Sequence, residues 1–262
     1  MEDVLTELPP PSRFFLEDLN NFTPPSNPLP SPFVLLSSPN SKLPLRPNLL
    51  IIALSTPSLY LLHNLSSKTL IGTLILPEIS PSGNSINPSL KDKSCNLYTI
   101  DHPTESIILA NFQYSVSSER AHMISKTLIG NQIIPERVLI LDSIQARNFR
   151  GRISTDDTFA MKLETSSERK SVPLLKSLTY FPSGSVIEGL GAALLSYCQM
   201  KNIKGSLCVL WPEVGNSVTS MVKDLLVKEV LPGMELKFDA NGEDEGLRFG
   251  LKNHYLDSEL YT

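Results

Sequence analysis

The sequence predicts an α/β fold: a single three-layer domain whose mixed or mostly parallel sheet is flanked by helices. Three observations lead there. Apolar runs of strand length without alternation, such as Leu49-Leu50-Ile51-Ile52-Ala53-Leu54, suit strands covered on both faces. The C-terminal half alternates helix-like and strand-like segments, and parallel strands need such crossovers. A chain of 262 residues, 41% hydrophobic and 19% charged, supplies one sizeable core.

Proline divides the chain. Eleven of the 21 prolines fall within residues 1–47, in runs such as Pro9-Pro10-Pro11, Thr23-Pro24-Pro25 and Leu29-Pro30-Ser31-Pro32. Each ring removes a donor and restrains the residue before it, so residues 1–47 read as an extended arm. Arg13-Phe14-Phe15-Leu16 is its expected anchor, and a polyproline ligand for an aromatic groove is the alternative role. Residues 48–239 read as the α/β domain and 240–262 as a flexible tail.

Within the domain, Leu49–Leu54 opens the core. Thr69–Leu76, Asn96–Ile100, Ser106–Gln113 and Arg137–Leu141 follow as strands enriched in β-branched residues. Ile79–Lys93 carries Pro81, Gly83, Asn84, Asn87 and Pro88 with few apolar residues, the signature of a long surface loop. Ser117-Ser118-Glu119 starts a helix that stops at Gly130. A second helix spans about Ser185–Asn202 and is apolar almost all round; a third, Ser217–Val230, places Val218, Met221, Val222, Leu225 and Leu226 on one stripe. Gly205–Trp211 is the strand between them, and Glu235–Phe238 a last strand. The mixed charges of Arg147–Arg169 read as a solvated face or loop.

Charge and composition exclude several roles. Lys and Arg total 23 against 27 Asp and Glu, a formal charge of −4, so no nucleic-acid partner is expected from bulk electrostatics. The start Met1-Glu2-Asp3 lacks a cationic stretch before an apolar run, and the apolar runs are too short to cross a bilayer. A cytoplasmic or nuclear location with no membrane span is the expectation. Cys95, Cys198 and Cys208 cannot all pair and form no CxxC, which implies reduced thiols serving as small buried hydrophobes. The sequons at Asn21 and Asn64 are then unused.

A search for catalytic chemistry finds little. His63, His102, His122 and His254 are scattered, without metal-ligand spacing, so no metal and no cofactor is expected. Asp101-His102 reads as a turn feature. Gly189-Leu190-Gly191 lacks a third glycine and reads as close packing. Ser183-Gly184-Ser185 reads as a helix cap rather than an anion site or a nucleophile elbow. Asp156-Asp157 has no second acid placed to work with it.

The chain ends differently from an ordinary polar tail. After the acidic break Asn241-Gly242-Glu243-Asp244-Glu245-Gly246 it closes on Leu260-Tyr261-Thr262, a hydrophobic residue, a tyrosine and any residue. A lysine can capture the terminal carboxylate, the Tyr261 ring can be buried with its hydroxyl bonded, and Leu260 can fill a second pocket.

The string Gly189-Leu190-Gly191-Ala192-Ala193-Leu194-Leu195-Ser196-Tyr197-Cys198-Gln199, followed by Gly205–Trp211, is similar to the matching helix and strand of the proteasome assembly chaperone one family. Leu260-Tyr261-Thr262 resembles that family's hydrophobic-tyrosine-X terminus. The resemblance covers these segments closely and the rest by order of elements; the arm and the loops at 77–95 and 147–172 match no family motif. It implies a non-enzymatic chaperone, on a fold similar to nucleoside phosphorylases, that pairs with proteasome assembly chaperone two and binds proteasome α subunits to promote α-ring formation in the 20S core particle. Leu260, Tyr261 and Thr262 would then be the partner-binding residues, entering a groove between adjacent α subunits with the Thr262 carboxylate meeting a lysine. Two other readings stay open: a nucleoside-type hydrolase or phosphorylase on the same fold, and an adaptor that works through its proline-rich arm.

Overall fold

Leu50, Ile51 and Ile52 have no exposed surface at all, because the strand they form lies at the centre of a nine-stranded sheet with helices on both faces. The computed structural model describes residues 30–37, 44–79, 92–103, 105–130, 132–154 and 156–236. All elements below belong to the compact unit Ser31–Thr262; the other unit, Met1–Pro30, lies outside the described residues apart from Pro30. The strands are β1 Phe33–Leu36, β2 Leu49–Ala53, β3 Lys68–Ile75, β4 Cys95–Ile100, β5 Ile107–Phe112, β6 Arg137–Ser143, β7 Phe159–Glu164, β8 Thr179–Tyr180 and β9 Lys204–Trp211. The helices are α1 Thr56–His63, α2 Ser118–Leu128, α3 Ser166–Arg169, α4 Gly189–Met200 and α5 Asn216–Leu225, the last continued by a wide turn over Leu226–Val230.

The spatial order is β1-β3-β4-β5-β2-β6-β9-β7-β8. Four central strands, β5-β2-β6-β9, run parallel, and β1, β3 and β4 on one side and β7 on the other add antiparallel pairs. The expected mixed sheet between helical layers is therefore present. Even-numbered residues of β2 and β6 face α2 and α4, and odd-numbered ones face α1 and α5; each face carries its own core cluster. In α4 the buried residues Leu190, Gly191, Leu194, Tyr197 and Cys198 recur at helical spacing, which packs this apolar helix onto β6 and β9. Truncating the fully buried Leu194 to alanine would cost about 2–5 kcal/mol. Cys95, Cys198 and Cys208 are all buried free thiols.

Several elements differ from the sequence reading. The arm region contributes β1, which pairs antiparallel with β3; proline between strands confines such a segment to a sheet edge, and β1 is an edge. Gly72 permits the pairing, since a Cβ there would lie 2.6 Å from the Leu35 carbonyl oxygen. The helix α1 follows an extended Ser55 and holds Pro57 in its first turn, where a missing N–H costs nothing. Part of the charged stretch at 147–169 is not solvated: Phe159–Glu164 is β7, paired with β9. Its charges are buried in pairs, with Lys162 Nζ 2.8 Å from Glu164 Oε1 and the Tyr180 hydroxyl donating to Glu164 Oε2 at 2.7 Å. Asp156 and Asp157 are exposed.

The second helix starts at Gly189, not Ser185. Val186 N–H donates to the Asn148 carbonyl and Ser185 Oγ accepts from Arg150 N–H, both at 2.8 Å, so residues 185–186 are held extended against the turn at 146–150. Glu188, not the Ser183–Ser185 segment, is the N-cap. The third helix widens after Leu225, where Leu231 N–H reaches the Leu226 carbonyl at 2.7 Å. Glu235 and Leu236 form no strand; Leu236 is buried against the α5 face instead, and 237–238 lie outside the described residues. So do 80–91 of the expected long loop and the Arg13–Leu16 anchor.

Candidate functional site

In an open sheet with parallel strands, ligands bind beyond the carboxyl ends of neighbouring strands whose chains leave in opposite directions. β2 and β6 are such neighbours: the chain leaves β2 toward β3 and β6 toward β7, on opposite sides of the sheet. A cavity of about 320 Å³ lies at this place, lined by Leu54 after β2, Phe112 of β5, Asp142 and Ser143 of β6, Glu213 after β9 and the first turn of α4.

Asp142 is the chemical centre of this cavity. It directly follows the wholly apolar, buried run Val138–Leu141 and is itself half-buried where the strand ends at the cavity. Among the described residues its carboxylate accepts one hydrogen bond, from Ser143 N–H, 2.8 Å from Oδ1. The other oxygen, Oδ2, lies over Gly191 of α4, where a Cβ would sit only 2.3 Å away; glycine at this position makes room for the carboxylate. Burial pushes the Asp142 carboxyl up to about 6, the Ser143 N–H opposes this, and the charge of Glu213 adds to it.

Two further acids border the cavity. Glu188 accepts from Asn148 Nδ2 at 2.7 Å and from Arg147 at 3.4 Å, and these bonds, the asparagine's first, hold its carboxyl below the usual range. Among the described residues that line the cavity there is no Lys, Arg or His. Tyr114, also in the lining, has an enclosed hydroxyl with no hydrogen-bond partner, and burial drives its ionisation far above that of an ordinary phenol. The site is thus a half-apolar, negatively charged recess.

The other residues singled out in the sequence do not gather there. Leu260, Tyr261 and Thr262 lie outside the described residues, as does His254. His63 ends α1, His122 lies on α2, and His102 Nδ1 accepts the Glu105 N–H in a turn after β4. No group of three or more possible metal ligands occurs among the described residues. Burial raises the Cys198 and Cys208 thiols to about 12, which suits packing rather than nucleophilic attack. Of the two glycines expected to serve close packing only Gly191 does so, against a carboxylate; a Cβ at Gly189 would meet nothing within 4 Å, and its φ of +70° is what favours glycine there. Asp142 itself was open to detection: an acid directly after a buried parallel strand stands where such sheets place their ligands.

No protein-family model and no curated protein matches the chain. Solved structures do resemble it. Pyrococcus furiosus PbaA, an archaeal homolog of proteasome-assembly chaperone, is 17% identical with a TM-score of 0.57, over 86% of this chain and 93% of that one. Pyrococcus furiosus PbaB, an archaeal proteasome activator, is 10% identical with a TM-score of 0.56, over 87% and 99%. A Thermoplasma acidophilum protein of unknown function is 15% identical with a TM-score of 0.56, over 81% and 89%. At these identities the likeness is one of fold, and this chain has the fold of these archaeal proteins over most of its length.

Proposed function

We propose that this protein is a non-enzymatic chaperone for assembly of the 20S proteasome core particle, working as a heterodimer with proteasome assembly chaperone two to bind α subunits and promote α-ring formation. The observation that carries this reading is the likeness to PbaA, which spans 86% of this chain and 93% of that archaeal homolog of a proteasome-assembly chaperone. The C-terminal Leu260-Tyr261-Thr262 supports it from an independent direction, because a terminal carboxylate, a phenol and an apolar side chain in sequence make a key for a groove with a lysine at its end. A three-residue plug binds weakly alone, so the folded domain must dock beside it.

Removal of Leu260–Thr262, or Tyr261→Ala, is expected to weaken retention of α subunits in co-purification at least tenfold while the unfolding temperature stays within about 1 °C of the unaltered chain. Undiminished retention by a truncated, folded chain would remove the plug from the proposal.

A further inference from the structure

We propose that the recess at the carboxyl ends of β2, β5 and β6 is a binding site for an organic cation, an alkylammonium or guanidinium group seated against Asp142 with its hydrocarbon stem along the apolar wall. This goes beyond the assembly function and does not depend on it.

The argument starts from charge. Asp142, Glu188 and Glu213 border one cavity of about 320 Å³ whose described lining holds no cation, and that volume falls within the small-ligand range of roughly 300–1,000 Å³. A helix N-terminus such as that of α4 ordinarily favours an anion. Here Glu188 holds the N-cap position without a side-chain capping bond, and Asp142 Oδ2 lies against Gly191 in the first turn, so an incoming anion would meet the Asp142 carboxylate already in place. Only a positive group gains from that carboxylate, since Glu188 is already bonded to Asn148 and Arg147.

Shape decides which kind of cation. Leu54, Phe112, Val186, Ile187 and Leu190 line the same cavity, a surface that rewards methylene groups rather than a hydrated metal ion. Asp142 has one oxygen engaged by Ser143 N–H and none of its described bonds on Oδ2, which leaves an acceptor for an N–H donor. Arg147 stands nearby and is bonded to Glu188, so it does not neutralise Asp142. A bound cation would offset the burial that now raises the Asp142 carboxyl, and binding would release a proton below about pH 6. The charge acting on this carboxyl is that of Glu213 in the segment after β9; Glu188, just before α4, lines the cavity and is bonded to Arg147, and Leu54 after β2, Phe112 of β5 and Tyr114 after it are uncharged at neutral pH.

The test uses the full chain and two sets of probes. One set is n-butylguanidinium and n-butylammonium, with neutral pentan-1-ol as control; the other is the blocked tripeptides Ala-Arg-Ala and Ala-Lys-Ala. Calorimetric titration at pH 7.5 is expected to give saturable binding of at least one cationic probe and none of pentan-1-ol, a tenfold or greater loss in Asp142→Asn, and a fall of up to tenfold per pH unit below pH 6. Saturation by the free cations assigns the site to small amines; saturation by the tripeptides alone assigns it to a basic side chain of a protein. Carbon-13 NMR of the Asp142 carboxyl in the unaltered chain gives a second reading that needs no variant: adding the cation should lower its titration midpoint. Absence of saturation by every cationic probe, equal binding of pentan-1-ol, equal affinity in folded Asp142→Asn, or an unmoved Asp142 titration would each overturn the proposal.

Discussion

Gly191→Ala isolates the contact on which the recess depends. The added methyl would stand 2.3 Å from Asp142 Oδ2, 3.2 Å from its Cγ and 3.5 Å from its Cβ, so a turn of the carboxylate alone does not relieve the overlap. The whole side chain has to move, and Oδ1 then loses the Ser143 N–H at 2.8 Å. Overpacking of this kind costs about 1–3 kcal/mol and the lost bond about 1 kcal/mol more. Opposing it, alanine inside a helix is better than glycine by about 0.5–1 kcal/mol. The net expectation is a destabilisation of about 1–3 kcal/mol. In an Asp142→Ala background the obstacle is gone, and the same Gly191→Ala change should stabilise by up to about 1 kcal/mol. Urea unfolding of the four chains of this cycle at pH 7.5, with the slopes checked for two-state behaviour, yields a coupling of about 2–4 kcal/mol between the two positions. If Gly191→Ala has the same sign in both backgrounds and the coupling is under about 0.5 kcal/mol, Asp142 does not occupy the space that Gly191 leaves, and the geometry of the recess is wrong.

Two further outcomes follow from buried polar groups. Asp142 has a folded value raised to about 6, above the usual carboxylate, so its contribution favours the folded state most below the unfolded value and is lost as pH rises through 6. Asp142→Asn should therefore be more stable than the unaltered chain by about 2 kcal/mol at pH 8, with the advantage shrinking toward pH 4 in thermal unfolding; a constant difference across that range would contradict it. Thr165 is 2% exposed, and its Oγ1 accepts from Gly205 N–H at 3.0 Å and Glu168 N–H at 3.3 Å while donating to the Ile203 carbonyl at 3.0 Å. Thr165→Val keeps the shape and strands these groups, so a loss of about 2–3 kcal/mol is expected, with Thr165→Ser recovering more than half; equal stability of the Val and Thr chains would show the bonds to be idle.

The central strands were legible because β2, β5, β6 and β9 are buried on both faces, and a strand so placed spells itself as an unbroken apolar run. β7 was not. Its sequence Phe-Ala-Met-Lys-Leu-Glu carries two charges that look solvated until Lys162 meets Glu164 and the Leu175 carbonyl, and Glu164 meets Tyr180. Pairing across elements is invisible to periodicity, which reports the side on which a residue lies and not what awaits it there. α1 escaped for another reason: Leu59-Tyr60-Leu61-Leu62 is too short and too uniformly apolar to separate helix from strand. The recess combines both difficulties. Asp142 and Gly191 each had a plain local reading, as the end of a strand and as a packing glycine, and their joint meaning exists only where the crossover from β6 brings the first turn of α4 back over the strand end. That juxtaposition also carries a cost. An acid whose carboxyl is raised to about 6 by burial destabilises the free chain at neutral pH, whereas asparagine could accept the same Ser143 N–H without that penalty. A positive group joining this carboxylate would offset that penalty, so the proposed cation should stabilise the folded chain more at pH 8 than at pH 5.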